Sequence, residues 1–305
     1  MVPHALAGGV PSRSFGPLVR PTELMNENSD KIKFVDASWH LGGKRSGSQE
    51  YTDGPRLPGA VFFDIDGVSD QSTDLPHMLP SPEVFETVVK ECGISDDDTV
   101  IIYGTEGCFS APRAWWTFKS FGFSRVAVLD GGLKGWAKAG GELESGPPST
   151  PTPAKEGTLF KASAPKGVVD SAAVLAVAVG SEEGTILDAR GAPRFNGEAP
   201  EPRPGLKSGH IPNSKNLPFT KLLTDNDVTS FKSPDEIAQV LSEVGLDRDQ
   251  LAKTPVFCSC GSGVTAAVLS LAIEIAYPEV ESSVYDGSFA EWGVPDNNLP
   301  VNTKE

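Results

Sequence analysis

VLDGGLKGW at residues 128–136 recurs as VYDGSFAEW at residues 284–292, 156 positions further along the chain. Three shorter pairs follow the same order: KFVDA at 33–37 with TILDA at 185–189, LPGA at 57–60 with IPNS at 211–214, and VIIY at 100–103 with PVFC at 255–258. Their offsets are nearly constant, at 152, 154 and 155 positions. Self-similarity at one fixed period is typical of a duplicated structural unit. The sequence therefore predicts two copies of one domain.

The predicted boundaries follow from this repeat and from a change in composition between the copies. We predict an N-terminal tail at 1–17, a first copy at 18–143, a linker at 144–164 and a second copy at 165–297. Within the linker, GPPSTPTP at 146–153 has the composition of a semi-stiff, extended connection. A chain of 305 residues has the length expected for two domains.

Strand and helix patterns alternate within each copy. Short β-branched runs at 126–129 and 256–257 predict buried strands, whereas 82–90 and 234–244 have apolar residues at helical spacing. A serine that can cap the helix precedes each helical stretch. This alternation predicts an α/β fold in which each copy is a parallel sheet flanked by helices. Ligands of such sheets bind beyond the carboxyl ends of the strands.

Charge and cysteine content exclude several functional classes. With 26 basic and 41 acidic residues, the formal charge is −15, which argues against binding to nucleic acid or to an anionic membrane. No run of about 18 apolar residues is present, so no bilayer-spanning helix is predicted. Four cysteines are too few for a disulfide scaffold and favour a reducing, intracellular compartment. Without Cys-x-x-Cys or clustered histidines, no metal site is predicted.

The N-terminus leaves the compartment open between mitochondrion and cytoplasm. Residues 1–22 contain Arg13 and Arg20 but no acidic residue, and the first carboxylate is Glu23. Such a segment is similar to a short mitochondrial transit peptide. A disordered tail rich in Gly and Pro explains the same composition.

The most reactive pattern is VFCSCGSGVT at 256–265, which is followed by the helix-forming AAVLSLA at 266–272. Cys260 ends a buried strand, and Gly261 and Gly263 allow the next residues to curl into a nest of backbone N–H groups. That nest and the helix dipole favour a thiolate, so Cys260 is the predicted nucleophile. The alternative is a cysteine that only fills the core, which is the interpretation we give to Cys258.

The equivalent loop of the first copy reads GTEGCFS at 104–110. The alignment of the strands puts Thr105 in the place of Cys260, and the charge of Glu106 would repel an anion. The first copy is therefore predicted to be catalytically inactive. A cysteine phosphatase is excluded because its phosphate-binding Arg would stand six residues after Cys260, where this chain has Ala266.

Taken together, the tandem halves, the two Asp-Gly motifs with their tryptophans and GHIP at 209–212 resemble the rhodanese-type sulfurtransferases over about residues 18–297. The loop from Cys260 to Thr265 resembles that of the 3-mercaptopyruvate sulfurtransferases within this family. Members that use thiosulfate typically carry Arg and Lys where this chain has Gly261 and Ser262. Gly and Ser offer no cation to a dianionic donor.

The resemblance implies an activity and its site residues. Cys260 would take sulfur from 3-mercaptopyruvate as a persulfide, held by loop N–H groups, and pass it to a thiol, thioredoxin or cyanide without any cofactor. The expected substrate-binding residues are Arg194, Arg203, Gly261, Gly263, Val264 and Thr265. From the residues alone, two arginines in a Pro/Gly-rich loop after a strand fit a carboxylate clamp but are more simply explained as solvated surface charges; the resemblance favours the clamp.

The resemblance also implies a polar trio of Ser262, His77 and Asp66 that would cross the domain interface. The trio could relay protons, or it could simply line the site; Ser262 could also cap the following helix, and His77 with Asp66 could brace a loop. Trp39 could wall the pocket or belong to the core. Two other functions stay open: a thiosulfate:cyanide sulfurtransferase, and a non-enzymatic rhodanese module that carries sulfur or binds a partner.

Overall fold

Two sheets of similar construction form the framework, one in each half of the chain. The computed structural model describes residues 15–25, 27, 30–106, 109–224 and 229–303. The tail predicted from residues 1–17 therefore lies almost wholly outside the described residues, as do Arg13 and Cys108.

The first half contains the following elements among its described residues: β1 (Leu18–Val19), α1 (Pro21–Leu24), β2 (Ile32–Asp36), α2 (Gly47–Asp53), β3 (Val61–Phe62), α3 (Ile65–Val68), α4 (Pro82–Glu91), β4 (Thr99–Tyr103), α5 (Ala111–Ser120), β5 (Val126–Leu129) and α6 (Gly132–Lys138).

The second half repeats this alternation: β6 (Val168–Val169), α7 (Ser171–Ala178), β7 (Thr185–Asp188), α8 (Ala192–Phe195), β8 (Ser214–Asn216), α9 (Pro234–Glu243), α10 (Arg248–Leu251), β9 (Val256–Ser259), α11 (Ala266–Ala276), β10 (Ser282–Tyr285) and α12 (Ser288–Trp292). Short 3₁₀ turns cover Phe219–Leu222 and Pro295–Asn297.

Strand order is the same in both halves. The first sheet has the order β1-β5-β4-β2-β3 and the second has the order β6-β10-β9-β7-β8. Every pairing is parallel. The predicted duplicated α/β fold with parallel sheets is confirmed. Because β9 is the central strand of its sheet, the loop after it opens in the middle of the carboxyl edge.

The helices begin where the sequence places capping residues. The Ser81 side chain accepts a hydrogen bond from the N–H of Val84 at the start of α4. Ser233 caps α9 in the same way and forms a capping box with Glu236. Both helices were predicted from their periodicity, and both are confirmed to within one residue.

The two halves share one apolar core, in which α5 packs against α11. Each Asp of the repeated Asp-Gly motif reaches across the interface. Asp130 Oδ1 accepts a hydrogen bond from the N–H of Phe231 (2.9 Å), and Asp286 Oδ2 accepts one from the N–H of Leu79 (2.7 Å). The repeated motif therefore joins the halves as well as folding each of them. Lys119 of α5 adds an ion pair with Glu274 of α11.

The predicted linker packs against the first half. Arg56 and Glu144 form an antiparallel bridge, as do Ser95 and Leu159. Phe160 is buried in the shared core. Our boundaries of 143/144 and 164/165 remain predictions.

The registers of the strands correct one detail of the sequence alignment. Asp36 pairs with Tyr103 in the first sheet, and Asp188 pairs with Ser259 in the second. The residue that corresponds to Cys260 is therefore Gly104, one position before the predicted Thr105. The carbonyl of Gly104 accepts the N–H of Leu133, as that of Cys260 accepts the N–H of Phe289. Gly104 has no side chain, so it offers no nucleophile at the position that corresponds to Cys260.

Candidate active site

The cysteine loop is fastened to the first turn of α12. Phe289 N–H donates to the carbonyl of Cys260 (3.1 Å), and Ala290 N–H donates to that of Gly261 (2.9 Å). Cys260 N–H donates to Ser288 Oγ (3.2 Å). These bonds fix the backbone on both sides of the thiol, which lies at the end of the central strand. Cys260 is only 2% exposed.

One backbone N–H group of the loop points towards the sulfur. The N–H of Ser262 lies 3.4 Å from Cys260 Sγ, in hydrogen-bond geometry for a sulfur acceptor. Gly263 adopts φ +81°, which glycine reaches without steric cost. Val264 is buried and Thr265 occupies the N-cap position of α11. The predicted nest is thus present in form: a glycine-bearing curl between a strand end and a helix start.

Two arginines lie beside this loop, as the sequence predicted. Arg194 lies in α8, and its Nη2 would be only 2.8 Å from a Cβ placed on Gly261. Burial lowers the pKa of Arg203; the charge of a Cys260 thiolate opposes this shift and the charge of Arg194 reinforces it. Arg194, Arg203 and Cys260 are therefore within electrostatic reach of one another.

Glu201 holds Arg194 in place and is a residue that our sequence reasoning missed. Its carboxylate is buried between Arg194, which binds it through Nε (3.2 Å) and Nη2, and Arg190, whose Nη1 lies 2.8 Å away. Arg190 also pairs with the buried Asp188 at 2.6 Å, at the end of β7. The signal that could have found Glu201 is its place in the run Glu-Pro-Arg that ends at Arg203.

His77 and Asp66 come from the first copy and meet at the domain interface. His77 Nδ1 lies 2.7 Å from Asp66 Oδ1, an ion-pair distance, although the pair is not aligned as a hydrogen bond. The contact with His77 lowers the pKa of Asp66, and Trp39 and the charge of Arg203 act in the same direction, against partial burial. On its other side, His77 Nε2 is 3.4 Å from Arg203 Nη2.

Ser262 does not complete a chain with that pair. Among the described residues, no hydrogen bond joins Ser262 Oγ to His77, and the N-cap of α11 is Thr265. The structure therefore brings Asp66, His77 and Arg203 into one line of contacts and leaves the hydroxyl of Ser262 outside it.

A cavity of about 530 Å³ opens beside these residues. Trp39, Asp66 and Arg203 line it, together with the loop at 40–48. The Trp39 indole donates to Asp66 Oδ2 (2.9 Å) and packs edge-on against His77, with ring centroids 4.9 Å apart. Trp39 thus walls the cavity while its partly buried ring packs on the core.

In the first copy, the loop that follows β4 is bonded to other residues of the same copy. Thr105 Oγ1 donates to Glu50 Oε2 (3.0 Å), and the same carboxylate is bound by Arg45 Nε (2.6 Å) and His40 Nε2 (3.0 Å). Burial raises the pKa of Glu50, but these three partners bring it below its ordinary value. In the first copy, the residue that follows Gly104 is therefore bonded to a carboxylate that Arg45 and His40 also hold.

The described part of the chain contains neither a membrane-spanning helix nor a cluster of metal ligands. No helix there is both long and apolar enough to cross a bilayer. No group of three or more His, Cys, Asp or Glu side chains there is arranged to hold a metal ion.

Known proteins resemble this chain in sequence and in fold. A family model described as a rhodanese-like domain matches residues 21–139 and again residues 171–294. The 3-mercaptopyruvate sulfurtransferase of Escherichia coli (strain K12) is 42% identical over 276 residues, which cover 89% of this chain and 92% of that protein. Thiosulfate/3-mercaptopyruvate sulfurtransferase 1, mitochondrial, of Arabidopsis thaliana is 34% identical over 305 residues, with 92% and 76% covered. The crystal structure of SseA from Escherichia coli superposes with a TM-score of 0.76 at 36% identity, covering 90% of this chain and 99% of that one.

Proposed function

The chain belongs to the rhodanese-like sulfurtransferases, and from that premise we propose that it moves the sulfur of 3-mercaptopyruvate through a Cys260 persulfide to a thiol acceptor. Membership of this family confirms the resemblance drawn from the repeated motifs. It implies small-molecule sulfur donors and acceptors. The donor, the acceptor and the role of each residue are our proposals.

One observation carries the choice of donor: the two guanidinium groups beside the cysteine loop come from outside the loop. Residues 261–265 offer no cationic side chain to a sulfonate next to the thiol. Arg194 and Arg203, which lie beside the loop but outside it, would bind the anionic end of a donor whose carboxylate is separated from its sulfur by carbon atoms. In 3-mercaptopyruvate, a methylene and a keto group separate the thiol from the carboxylate.

The first half-reaction forms the persulfide. The Cys260 thiolate attacks the sulfur of 3-mercaptopyruvate, a new S–S bond forms, and the C–S bond breaks. Its electron pair leaves as the enolate of pyruvate, which takes a proton at carbon to give pyruvate. Arg194 and Arg203 bind the carboxylate and the keto oxygen, where negative charge develops, so their stabilisation is greatest in the transition state.

The second half-reaction returns the enzyme to its starting form. A thiol, thioredoxin or cyanide attacks the outer sulfur of the persulfide, and Cys260 leaves as thiolate, which makes the mechanism ping-pong. The N–H of Ser262 supports both the thiolate and the persulfide. The curl formed by Gly261, Gly263, Val264 and Thr265 keeps that N–H directed at the sulfur.

His77 and Asp66 act on this site through Arg203. The negative charge of Asp66 favours the tautomer of His77 that carries its proton on Nδ1. His77 Nε2 can then accept a hydrogen bond from Arg203 Nη2, which orients the guanidinium. A relay that includes Ser262 lacks the contact it would need. Trp39 lines the same cavity as Asp66 and Arg203, and its indole holds Asp66 through a hydrogen bond.

We also propose that the domain boundaries lie at 143/144 and 164/165 and that the first copy is catalytically inactive. The proposed location is mitochondrial or cytoplasmic. A plant relative is named mitochondrial, and the Escherichia coli relative carries no such label.

Donor preference is tested by steady-state kinetics with purified protein. We expect kcat/KM for 3-mercaptopyruvate to exceed that for thiosulfate, and Arg194→Ala to lower the former. Arg248→Ala serves as the matched control, since Arg248 is an exposed arginine of the same domain that pairs with Glu279 at the surface. A preference for thiosulfate would assign the other donor. Turnover with neither donor would leave a sulfur-carrying or partner-binding module.

A further inference from the structure

Arg113 is a buried cation that the proposed chemistry does not use. It lies in the first turn of α5, in the first copy, and its side chain is only 2% exposed. The guanidinium carbon lies 4.6 Å from the centre of the Trp116 ring. A charged group removed from water to this degree needs partners, and those partners show what it does.

All three acceptors of Arg113 lie close to the active site. Nη1 donates to Asp286 Oδ1 (2.6 Å) and to the carbonyl of Gly263 (3.4 Å), and Nη2 donates to the carbonyl of His77. Gly263 belongs to the cysteine loop, and His77 contacts Arg203. Asp286 in turn accepts the N–H of Leu79, two residues after His77. One guanidinium therefore connects the loop of the second copy to the polar pair of the first.

The loop is shaped to accept this guanidinium. A Cβ at Gly263 would lie 2.6 Å from Arg113 Nη1 and 2.9 Å from the carbonyl oxygen of Asp286. Every other residue type would therefore collide with the ion pair, besides being strained at φ +81°. Gly263 is thus required by the approach of Arg113 as well as by the turn.

His77 also depends on Arg113 for its conformation. Its φ is +64°, a left-handed value that is strained for a residue other than glycine. In that conformation its carbonyl faces Arg113 while its ring lies between Asp66 and Arg203. The hydrogen bond from Arg113 offsets the strain and fixes the direction of the ring.

We propose that Arg113 is a positioning residue through which the inactive copy sets the geometry of the cysteine loop and of His77. It holds the Gly263 carbonyl from one side while α12 holds the carbonyls of Cys260 and Gly261 from the other. The inactive copy is thus part of the catalytic apparatus. The inference rests on the proposed function only in taking Cys260 as the nucleophile.

The chemistry of the site calls for arginine. Arg113 reaches one carboxylate and two carbonyls, and the guanidinium presents five N–H donors in a rigid fork. A lysine keeps the charge and can pair with Asp286, but its single ammonium cannot hold the two carbonyls in the same way. Arg113→Lys therefore separates charge from geometry.

The test compares Arg113→Lys with Lys119→Met. Lys119 lies on the same helix, pairs with Glu274 across the same interface and lies over the Trp115 ring at 4.9 Å, yet no hydrogen bond or ion pair described for it involves the cysteine loop. A second variant, Arg113→Met with Asp286→Leu, removes both charges together, so that no unpaired charge is left buried. Circular dichroism melting curves establish the folded fraction of each.

Two readouts separate positioning from stability. Iodoacetamide modification of Cys260, followed across the neutral pH range by peptide mass, needs no sulfur donor. We expect Arg113→Lys to slow it and to move the midpoint of its pH profile upward, because the N–H of Ser262 loses its aim at the sulfur. With 3-mercaptopyruvate, kcat should fall roughly 10- to 100-fold. KM should change by less than about threefold, since Arg113 does not contact the substrate.

The outcomes are distinct. A wild-type alkylation profile in Arg113→Lys and in the double variant overturns the proposal, as does an activity loss that follows only the folded fraction. An equal loss in Lys119→Met assigns the effect to the interface in general and also overturns it. If wild type gains no sulfur from 3-mercaptopyruvate, the proposed function fails, while the alkylation profiles still decide the role of Arg113.

Discussion

Gly261→Ala is the most selective perturbation that the site offers. An added Cβ would lie 2.8 Å from Arg194 Nη2, and the other nearby atoms, Cζ and Nη1 of the same guanidinium, would be 3.8 Å away. Gly261 does not have a positive φ, so alanine fits its backbone. The substitution therefore acts on one arginine of the proposed clamp and leaves the loop, the nucleophile and Arg203 in place.

The magnitude follows from the size of the displacement. For the contact to lengthen from 2.8 Å to an ordinary 3.4 Å, the guanidinium must retreat by about 0.6 Å, against its hydrogen bonds to Glu201. A displacement on the order of 1 Å in a substrate-positioning group costs up to about 100-fold in rate. We expect kcat/KM for 3-mercaptopyruvate to fall roughly 10- to 100-fold, equivalent to about 1.4–2.7 kcal/mol of transition-state stabilisation.

The assay compares four proteins: wild type, Gly261→Ala, Arg194→Ala and the double variant. In the double variant the added methyl has no guanidinium to displace, so the loss should be no larger than in Arg194→Ala alone. Thermal stability should be unchanged or slightly raised, because alanine at a compatible position reduces the entropy of the unfolded chain by about 0.4–1 kcal/mol. If Gly261→Ala retains wild-type kcat/KM, or if the two losses add, Arg194 does not bind the donor as proposed.

Three further predictions concern the surroundings of the site. Burial raises the pKa of the Cys258 thiol to about 12, so Cys258 should resist iodoacetamide at neutral pH, and Cys258→Ala should retain sulfur transfer; loss of transfer in that variant would refute the core role. The contact with His77 lowers the pKa of Asp66 in the folded protein, so its stabilising effect is complete above the ordinary carboxyl range and is lost as pH falls through the lowered value. The difference in Tm between wild type and Asp66→Asn should therefore be present at neutral pH and shrink on acidification, and a difference independent of pH would contradict this. Finally, Arg190→Met leaves the Asp188 carboxylate buried and unpaired and should cost about 3–5 kcal/mol in chemical denaturation, whereas a loss below about 1 kcal/mol would show that the pair is not needed for folding.

Elements governed by local pattern could be predicted from the sequence. The helices after Ser81 and Ser233 and the strand at 126–129 follow from capping residues and apolar periodicity, which act within a few residues. The cysteine loop was predicted for the same reason, since strand, glycines and helix follow one another directly. The duplication followed from repeated motifs, not from any property of either half alone.

The register of the first copy could not be read in this way. VIIY and PVFC match as apolar strands, and an apolar run shifted by one position matches almost as well. Only the pairing of Tyr103 with Asp36, and the bond from Leu133 to Gly104, shows that Gly104 corresponds to Cys260. Register is a property of the assembled sheet, which is why the alignment named Thr105 instead.

Contacts between distant segments were missed for a related reason. Glu201 and Arg113 are charged residues in ordinary surroundings along the chain, and only the folded molecule buries them among their partners. A charge inside the apolar helical run that holds Trp115 and Trp116 was a signal for Arg113. The hydroxyl of Ser262, by contrast, was expected in a trio. No described hydrogen bond joins it to His77, and it is the N–H of Ser262 that contacts the sulfur.

The central claim, that sulfur passes through Cys260, is tested most directly by intact-mass analysis after incubation with 3-mercaptopyruvate in the absence of an acceptor. We predict that wild type gains the mass of one sulfur atom, that Cys260→Ser gains none, and that Cys258→Ala gains the same mass as wild type. A gain that persists in Cys260→Ser, or no gain in wild type with 3-mercaptopyruvate or thiosulfate, would contradict the account.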